Sequence, residues 1–267
     1  MKLEPDTLAN AHERMARIKA RSDHGFFTNY FRQDMVGERI LVAATDATIL
    51  LLNDEYDFFR LYFFSRDFAD LGKALYQTEY PGDVVVGYLT KKVDQGVVAA
   101  VERASFRPIA TYGRMETYAL PKQQTNPFLE YAVPADTDQL HQDLFRAFNK
   151  YTDHLPTKKR LLDYIRNNQV IVKRQNGQIV GGVCFQLHGF KVNYNHVYSL
   201  TAHGLDFLQL QNNFYGVMNQ RGVRAGFLWI NLANDRLASL YRATGWRFDG
   251  LQDYFYFRAL RSANNFA

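Results

Sequence analysis

The stretch Leu228-Trp229-Ile230-Asn231-Leu232-Ala233-Asn234-Asp235-Arg236-Leu237-Ala238-Ser239-Leu240-Tyr241-Arg242-Ala243-Thr244-Gly245-Trp246 changes its hydrophobic period partway along. Residues 227–230 are a short apolar run of strand length. From Asn234 onward, Leu237, Leu240 and Tyr241 recur at helical spacing. Asn234 stands where a side-chain oxygen can accept from the first-turn N–H groups. Gly245 stands where a chain leaving a helix needs a left-handed residue. The reading is strand, capped helix and stop, followed by an aromatic hairpin over 246–257.

Working outward, residues 206–220 carry Phe207, Leu210, Phe214 and Met218 on one helical face before Gly222, and 192–200 reads as a strand. The runs 170–173 and 178–187 flank Gln175-Asn176-Gly177, where Asn-Gly supplies the positive φ angles of a tight hairpin. Residues 137–149 and 157–167 are amphipathic helices, the second capped by Thr157. Between 120 and 136 stand Pro121, Pro127 and Pro134, which suggests a linker over 121–136. It separates an N-terminal lobe, 1–120, from a C-terminal lobe, 137–267.

The N-terminal lobe follows a similar order: a helix over 6–19, strands over 40–44, 48–52 and 58–64, a helix over 68–76, a strand over 84–90, a helix over 94–104 and strand material to Tyr118. At an offset of 140 residues Asp94 falls on Asn234, Val97 on Leu237, Ser105 on Gly245 and Phe106 on Trp246. The chain therefore reads as a tandem duplication.

Composition narrows the class. In 267 residues, 47% are apolar and 22% charged, the balance of a globular protein. A single cysteine, Cys184, excludes an intrachain disulfide and a Cys-x-x-Cys zinc site, and the histidines are scattered, so no metal is expected. Cys184, between Val183 and Phe185, reads as a buried strand residue rather than a nucleophile. The N-terminus is polar where a signal peptide needs an apolar stretch of about 7–15 residues, and the apolar runs are too short to span a membrane. A cytoplasmic location with no membrane partner is expected. The net charge of +5, from 32 Lys and Arg against 27 Asp and Glu, favours an anionic partner such as a nucleotide cofactor, an acidic carrier protein or RNA.

The motif over 228–246 resembles that of the GNAT superfamily of N-acetyltransferases, a strand followed by N-x-x-A-x-x-x-Y-x-x-x-G-F. Asn234, Ala238, Tyr241 and Gly245 match, with Trp246 in place of Phe. The resemblance covers 136–257 and, more weakly, the N-terminal lobe. It implies an α/β (α+β) fold of two tandem lobes, each a mixed, mostly antiparallel sheet flanked by helices. It also implies transfer of an acyl group from a thioester, on coenzyme A or a carrier protein's pantetheine, to an amine on a small molecule or peptide. By the resemblance Tyr241 gives a proton to the departing thiolate, a role closed to Val101, its N-terminal equivalent. The backbones of Ser199, Leu200 and Thr201 contact the pantetheine arm, and Asn234 is grouped with the donor site. His196 is the candidate base, because imidazole titrates near neutrality.

The phosphate loop departs from the family pattern, which places small residues at a helix start so that backbone N–H groups can reach a pyrophosphate. In Thr201-Ala202-His203-Gly204-Leu205-Asp206-Phe207-Leu208, His203 and Gly204 open the loop, but Asp206 and Leu208 stand where small residues are needed. Asp206 reads as the helix N-cap. The resemblance then implies weak binding of free coenzyme A. A carrier-borne donor, an aminoacyl-tRNA donor and a non-catalytic GNAT-like binding protein remain as alternatives.

Overall fold

Successive residues of β4 (Thr48–Glu55) enter opposite cores. Leu50 and Leu52 join Leu71, Val97 and Phe106, while Ile49 and Leu51 join Ala11, Met15 and Ile18. A strand that is apolar on both faces needs helices on both sides. The computed structural model describes residues 1–21, 25–29, 40–124, 129–201 and 204–260. The chain divides into two units, Met1–Thr111 with Leu251–Ala267, and Tyr112–Gly250.

In the first unit β1 (Glu4–Asp6), β3 (Ile40–Ala44), β4 and β5 (Phe58–Ser65) pair antiparallel in that order. β6 (Val84–Thr90) then pairs parallel with β5, and the parallel connection requires the crossover helix α2 (Phe68–Gln77). α2 and α3 (Gln95–Arg103) cover one face, and α1 (Leu8–Ala20), capped by Thr7, covers the other. A short strand, β2 (Phe27–Thr28), pairs with β5.

The aromatic segment expected to form a hairpin over 246–257 is instead one strand, β13 (Arg247–Arg258). Gly250, at φ +86°, bends it without reversing it. Residues Gln252 to Arg258 then pair antiparallel with β6, and Tyr256 enters the core of the first unit. Asp249-Gly250 has turn composition, but the residues after it find ladder partners on β6 rather than on their own neighbours.

In the second unit, residues Tyr112 to Thr117 of β7 (Arg107–Thr117) pair with β12 (Ala225–Asn231). The order continues through β11 (Lys191–Ser199), β10 (Gln178–His188) and β9 (Val170–Gln175) to β8 (Leu129–Tyr131). Asn176 and Gly177 take φ values of 51° and 79°, as the hairpin joining β9 to β10 requires. β8 lies within the segment read as a linker, so part of 121–136 is an edge strand, where proline-rich surroundings are tolerated. α4 (Thr137–Ala147) and α5 (Lys158–Arg166) cover one face, α6 (Gly204–Gln220) and α7 (Asp235–Ala243) the other.

Candidate active site

The site is built from a failure of pairing. β11 and β12 run parallel and stay in register only from Lys191 opposite Ala225 to Tyr194 opposite Leu228. Beyond that pair β11 continues to Ser199 and β12 to Asn231 without pairing each other. The parting coincides with a bulge. On β10, Cys184 faces His196 while Phe185 faces Tyr194, which leaves Asn195 as the extra residue. A bulge bends its strand and inverts the alternation of side chains after it. Val192 and Tyr194 accordingly pack with Phe214 and Tyr241, whereas Tyr198 packs with Leu144 and Tyr164 on the other face.

The open edge of β11 is polar backbone. Leu200 donates its N–H to the Val180 carbonyl at 2.8 Å, so that group is committed to β10. Successive peptide groups of a strand point to opposite edges, so those of Val197 and Ser199 face the gap. Ser199 Oγ and Thr201 Oγ1 lie 2.9 Å apart. Of the three backbones expected to meet a donor, that of Ser199 lies on the edge facing the gap, the Leu200 N–H is committed to β10, and the Thr201 side chain bonds to Ser199 and Asp206.

Tyr241 sits at the apex of the gap. Its ring packs edge-on against Tyr194, the last paired residue of β11, at 6.2 Å, and against Trp246 at 5.9 Å. The residue is buried, and desolvation, reinforced by the Tyr215 phenol, holds its hydroxyl far above the ordinary tyrosine range. Such a phenol stays protonated, the state a proton donor needs. Asn234 caps α7, its side chain accepting from the Leu237 N–H at 3.0 Å, so its carbonyl oxygen is engaged by the helix.

His196 follows the bulge residue Asn195 on β11, and its ring packs edge-on against Phe148 at 5.0 Å. Its Nε2 is 2.8 Å from the Asp153 carbonyl oxygen, which can only accept, so Nε2 carries the hydrogen. Nδ1 is then a buried lone pair, and it makes no hydrogen bond. Burial pushes the imidazole pKa down and favours the neutral form. Cys184, opposite His196 on β10, is fully buried, and burial raises its thiol to about 12, as befits an inert core residue.

The loop after β11 corrects one expectation. α6 begins at Gly204, so Asp206 lies in the first turn and is not the N-cap. Its carboxylate forms an ion pair with Lys173 of β9 and accepts from the Thr201 hydroxyl. Lys173 also donates to Gln209 Oε1 at 2.8 Å. The charge of Asp206 is thus matched locally, while Leu205, 70% exposed, and Leu208, 37% exposed, present apolar surface beside it. His203 lies outside the described residues. No group of metal-binding side chains occurs among the described residues, and none of their helices is long and apolar enough to cross a membrane.

The first unit has the matching gap. β5 and β6 pair only from Phe59 opposite Val84 to Leu61 opposite Val86. Here the chain fills the space itself. β2 pairs Phe27 with Ser65 and Thr28 with Phe64. Asn29, buried, donates its amide to the carbonyls of Leu61 at 3.0 Å and Gly87 at 2.7 Å, and accepts from the Phe63 N–H at 2.6 Å. No local pattern around Asn29 announces this role. Asp143, buried between Leu140 and Leu144 on the apolar face of α4, is visible as a polar interruption of a helical stripe.

Two lobes with parting parallel strands, one of them bulged at the parting, define the GNAT fold in tandem form. Solved structures of that fold resemble the chain. A GCN5-related N-acetyltransferase from Sphaerobacter thermophilus is 17% identical, with a TM-score of 0.56 over 84% of this chain and 81% of that one. A GNAT-family acetyltransferase from Colwellia psychrerythraea is 8% identical, with a TM-score of 0.55 over 97% and 100%. A tandem GNAT protein from the clavulanic acid biosynthesis pathway is 10% identical, with a TM-score of 0.52 over 98% and 100%. No protein-family model and no curated protein matches the sequence.

Proposed function

We propose that the second unit transfers an acyl group from a pantetheine thioester to an amine. The observation that carries this reading is the gap between β11 and β12, which opens at the Asn195 bulge and exposes the peptide groups of Val197 and Ser199. The first unit supplies the fit test. There a carboxamide, that of Asn29, satisfies both parting strands, so an amide-bearing arm suits such a gap. A pantetheine thioester would contribute an activated acyl carbonyl and a thiol leaving group. Val197 and Ser199 hold the arm through their backbones. Tyr241, protonated at the apex, gives its proton to the departing sulfur, and neutral His196 accepts a proton from the amine at Nδ1.

The mouth of the gap favours a donor without phosphates at this point. Leu205 and Leu208 stand at the start of α6, where backbone N–H groups would otherwise approach a pyrophosphate. A carrier protein presenting its pantetheine avoids that contact, and an acidic carrier suits a chain of net charge +5. Titration calorimetry with acetyl coenzyme A and, separately, with an acetylated carrier protein tests the reading. The expected result is one carrier-borne arm bound per chain and free acetyl coenzyme A bound at least a hundredfold more weakly than micromolar. Losing two charge-assisted hydrogen bonds of about 1.5–3 kcal/mol each accounts for that factor. Micromolar binding of free acetyl coenzyme A removes the carrier preference. Binding of neither donor removes acyl transfer and leaves a non-catalytic binding protein.

A further inference from the structure

One end of the second unit gathers exposed aromatic and basic side chains that acyl transfer does not use. β10 and β11 are joined there by a two-residue turn, Gly189-Phe190, closed by the pairing of His188 with Lys191. Gly189, at φ 60°, takes the first central position, where positive φ is required. The second central position makes no such demand, and a polar residue would serve it. Phe190 stands there, 85% exposed, more than any other large apolar residue among those described.

Neighbouring strands bring further residues to the same end. Lys191 pairs with Ala225 of β12, and Gly226, next along β12, pairs with Thr117 of β7. Tyr118, 67% exposed, follows Thr117, and the Lys191 ammonium lies over its ring, 5.4 Å from the centroid. The Arg224 carbonyl accepts from the Leu120 N–H at 2.9 Å, and the Gln123 N–H donates to Asn219 Oδ1 at 2.9 Å, which holds Lys122 at this end as well. Lys122, Lys191 and Arg224 are all exposed. Across 116–124, 186–193 and 219–227 the sole acidic side chain is Glu116, whose carboxylate accepts from the Tyr118 hydroxyl at 3.0 Å.

An exposed ring on a tight turn, surrounded by cations, is matched by an apolar medium for the ring and negative charge for its surroundings. An anionic lipid surface supplies both. The ring sits below the headgroups, the cations lie among them, and Tyr118, apolar with a polar tip, suits the boundary. A single-stranded nucleic acid fits less well, because it stacks successive bases on open ring faces, and the Lys191 ammonium covers a face of Tyr118.

We infer that this end of the second unit, with Phe190 at its tip and Lys122, Lys191 and Arg224 around it, docks on an anionic lipid surface. The expectation of no membrane partner came from the lack of a spanning segment, and attachment from one face needs none. Lys191 and Ser199 stand at opposite ends of β11, about 26 Å apart at about 3.3 Å per residue. The docked face is therefore remote from the gap, and the inference stands whether or not acyl transfer occurs there.

The test sediments the full chain with vesicles of equal parts phosphatidylcholine and phosphatidylglycerol, and with vesicles of phosphatidylcholine alone. At low salt the chain should bind the mixed vesicles at least tenfold more tightly, and molar salt should abolish the difference. Phe190→Ser should weaken binding at least tenfold with Tm unchanged, because so exposed a ring supports little of the fold. Lys191→Ala and Arg224→Ala should each weaken it about fivefold. Lys159→Ala, at an exposed lysine in the first turn of α5, should leave binding unchanged, which separates a local patch from the attraction of the whole positive chain. Equal weakening by Lys159→Ala, full binding by Phe190→Ser, or no binding to the mixed vesicles overturns the inference. So does a dimer that Phe190→Ser dissociates, which gives the ring to a second copy, or a single-stranded RNA bound through Phe190 by a chain that ignores the mixed vesicles.

Discussion

The two gaps are built alike and used differently. Both arise where a parallel pair parts after a few residues, β5 from β6 and β11 from β12. In the first unit Asn29 bonds to both parting strands and β2 lies along β5. In the second, among the described residues, β11 pairs with β10 and β12 alone, and past Tyr194 its peptide groups toward β12 are left open. Parting two strands strips backbone groups of their partners, and burial forces something to replace them. One unit supplies the replacement from its own chain, through Asn29 and β2. The residues at the helix position agree, for Val101 stands in α3 where Tyr241 stands in α7, and both are buried.

The contrast breaks most readily at Asn29. Asn29→Ala strands two carbonyls and one N–H in the core of the first unit and should cost about 3 kcal/mol of stability, read as a shift of the denaturant midpoint. An unchanged midpoint would mean that Asn29 does not close this gap. A second equivalent of pantetheine donor bound by the same variant would sharpen the contrast, because it would show that the first gap is closed only by its own chain.

Next in size is Tyr241→Phe. Removing the proposed proton donor should lower kcat about a hundredfold, with near-native circular dichroism and Tm. Full turnover in a folded variant would retire the assignment. Its counterpart, Val101→Ala, should do the reverse, costing about 2 kcal/mol of stability through the cavity it leaves with kcat unchanged at temperatures where the variant is folded.

The smallest effects lie at the helix exits, where the units again differ by one residue. Gly245 takes φ +92°, and Ser105, its equivalent, takes φ +66°. Left-handed backbone costs a residue with a Cβ about 1 kcal/mol. Gly245→Ala should lower stability by that amount and Ser105→Gly should raise it by about 0.5–1 kcal/mol, checked by denaturant titration. Equal and opposite shifts would confirm that the two exits share one geometry.

Much of the fold was legible because it is written locally. Asp94 and Asn234, matched by the internal offset, both cap their helices through side-chain oxygens, and Asn176-Gly177 makes its hairpin. Caps and tight turns involve residues within four positions of one another, so sequence spacing is nearly spatial distance. The site was only partly legible. Tyr241 was singled out by its motif and His196 by its place on a strand, but the tautomer of His196 depends on the Asp153 carbonyl, 43 residues away. Asp206 was misread because a capping residue and a first-turn residue look alike until Lys173 is placed beside it.

The sequence by itself determined most of the helices and their caps, the Asn-Gly hairpin, the doubling of the plan and the helix that carries Tyr241, since period, caps and stops are properties of short windows. Only the tertiary structure decided which strand the aromatic segment 252–258 joins, where β11 bulges, and which gap the chain closes with Asn29. Those choices are made by hydrogen-bonding edges that any extended segment can satisfy. Local composition cannot rank the partners, and the competition is settled only when the whole core is packed.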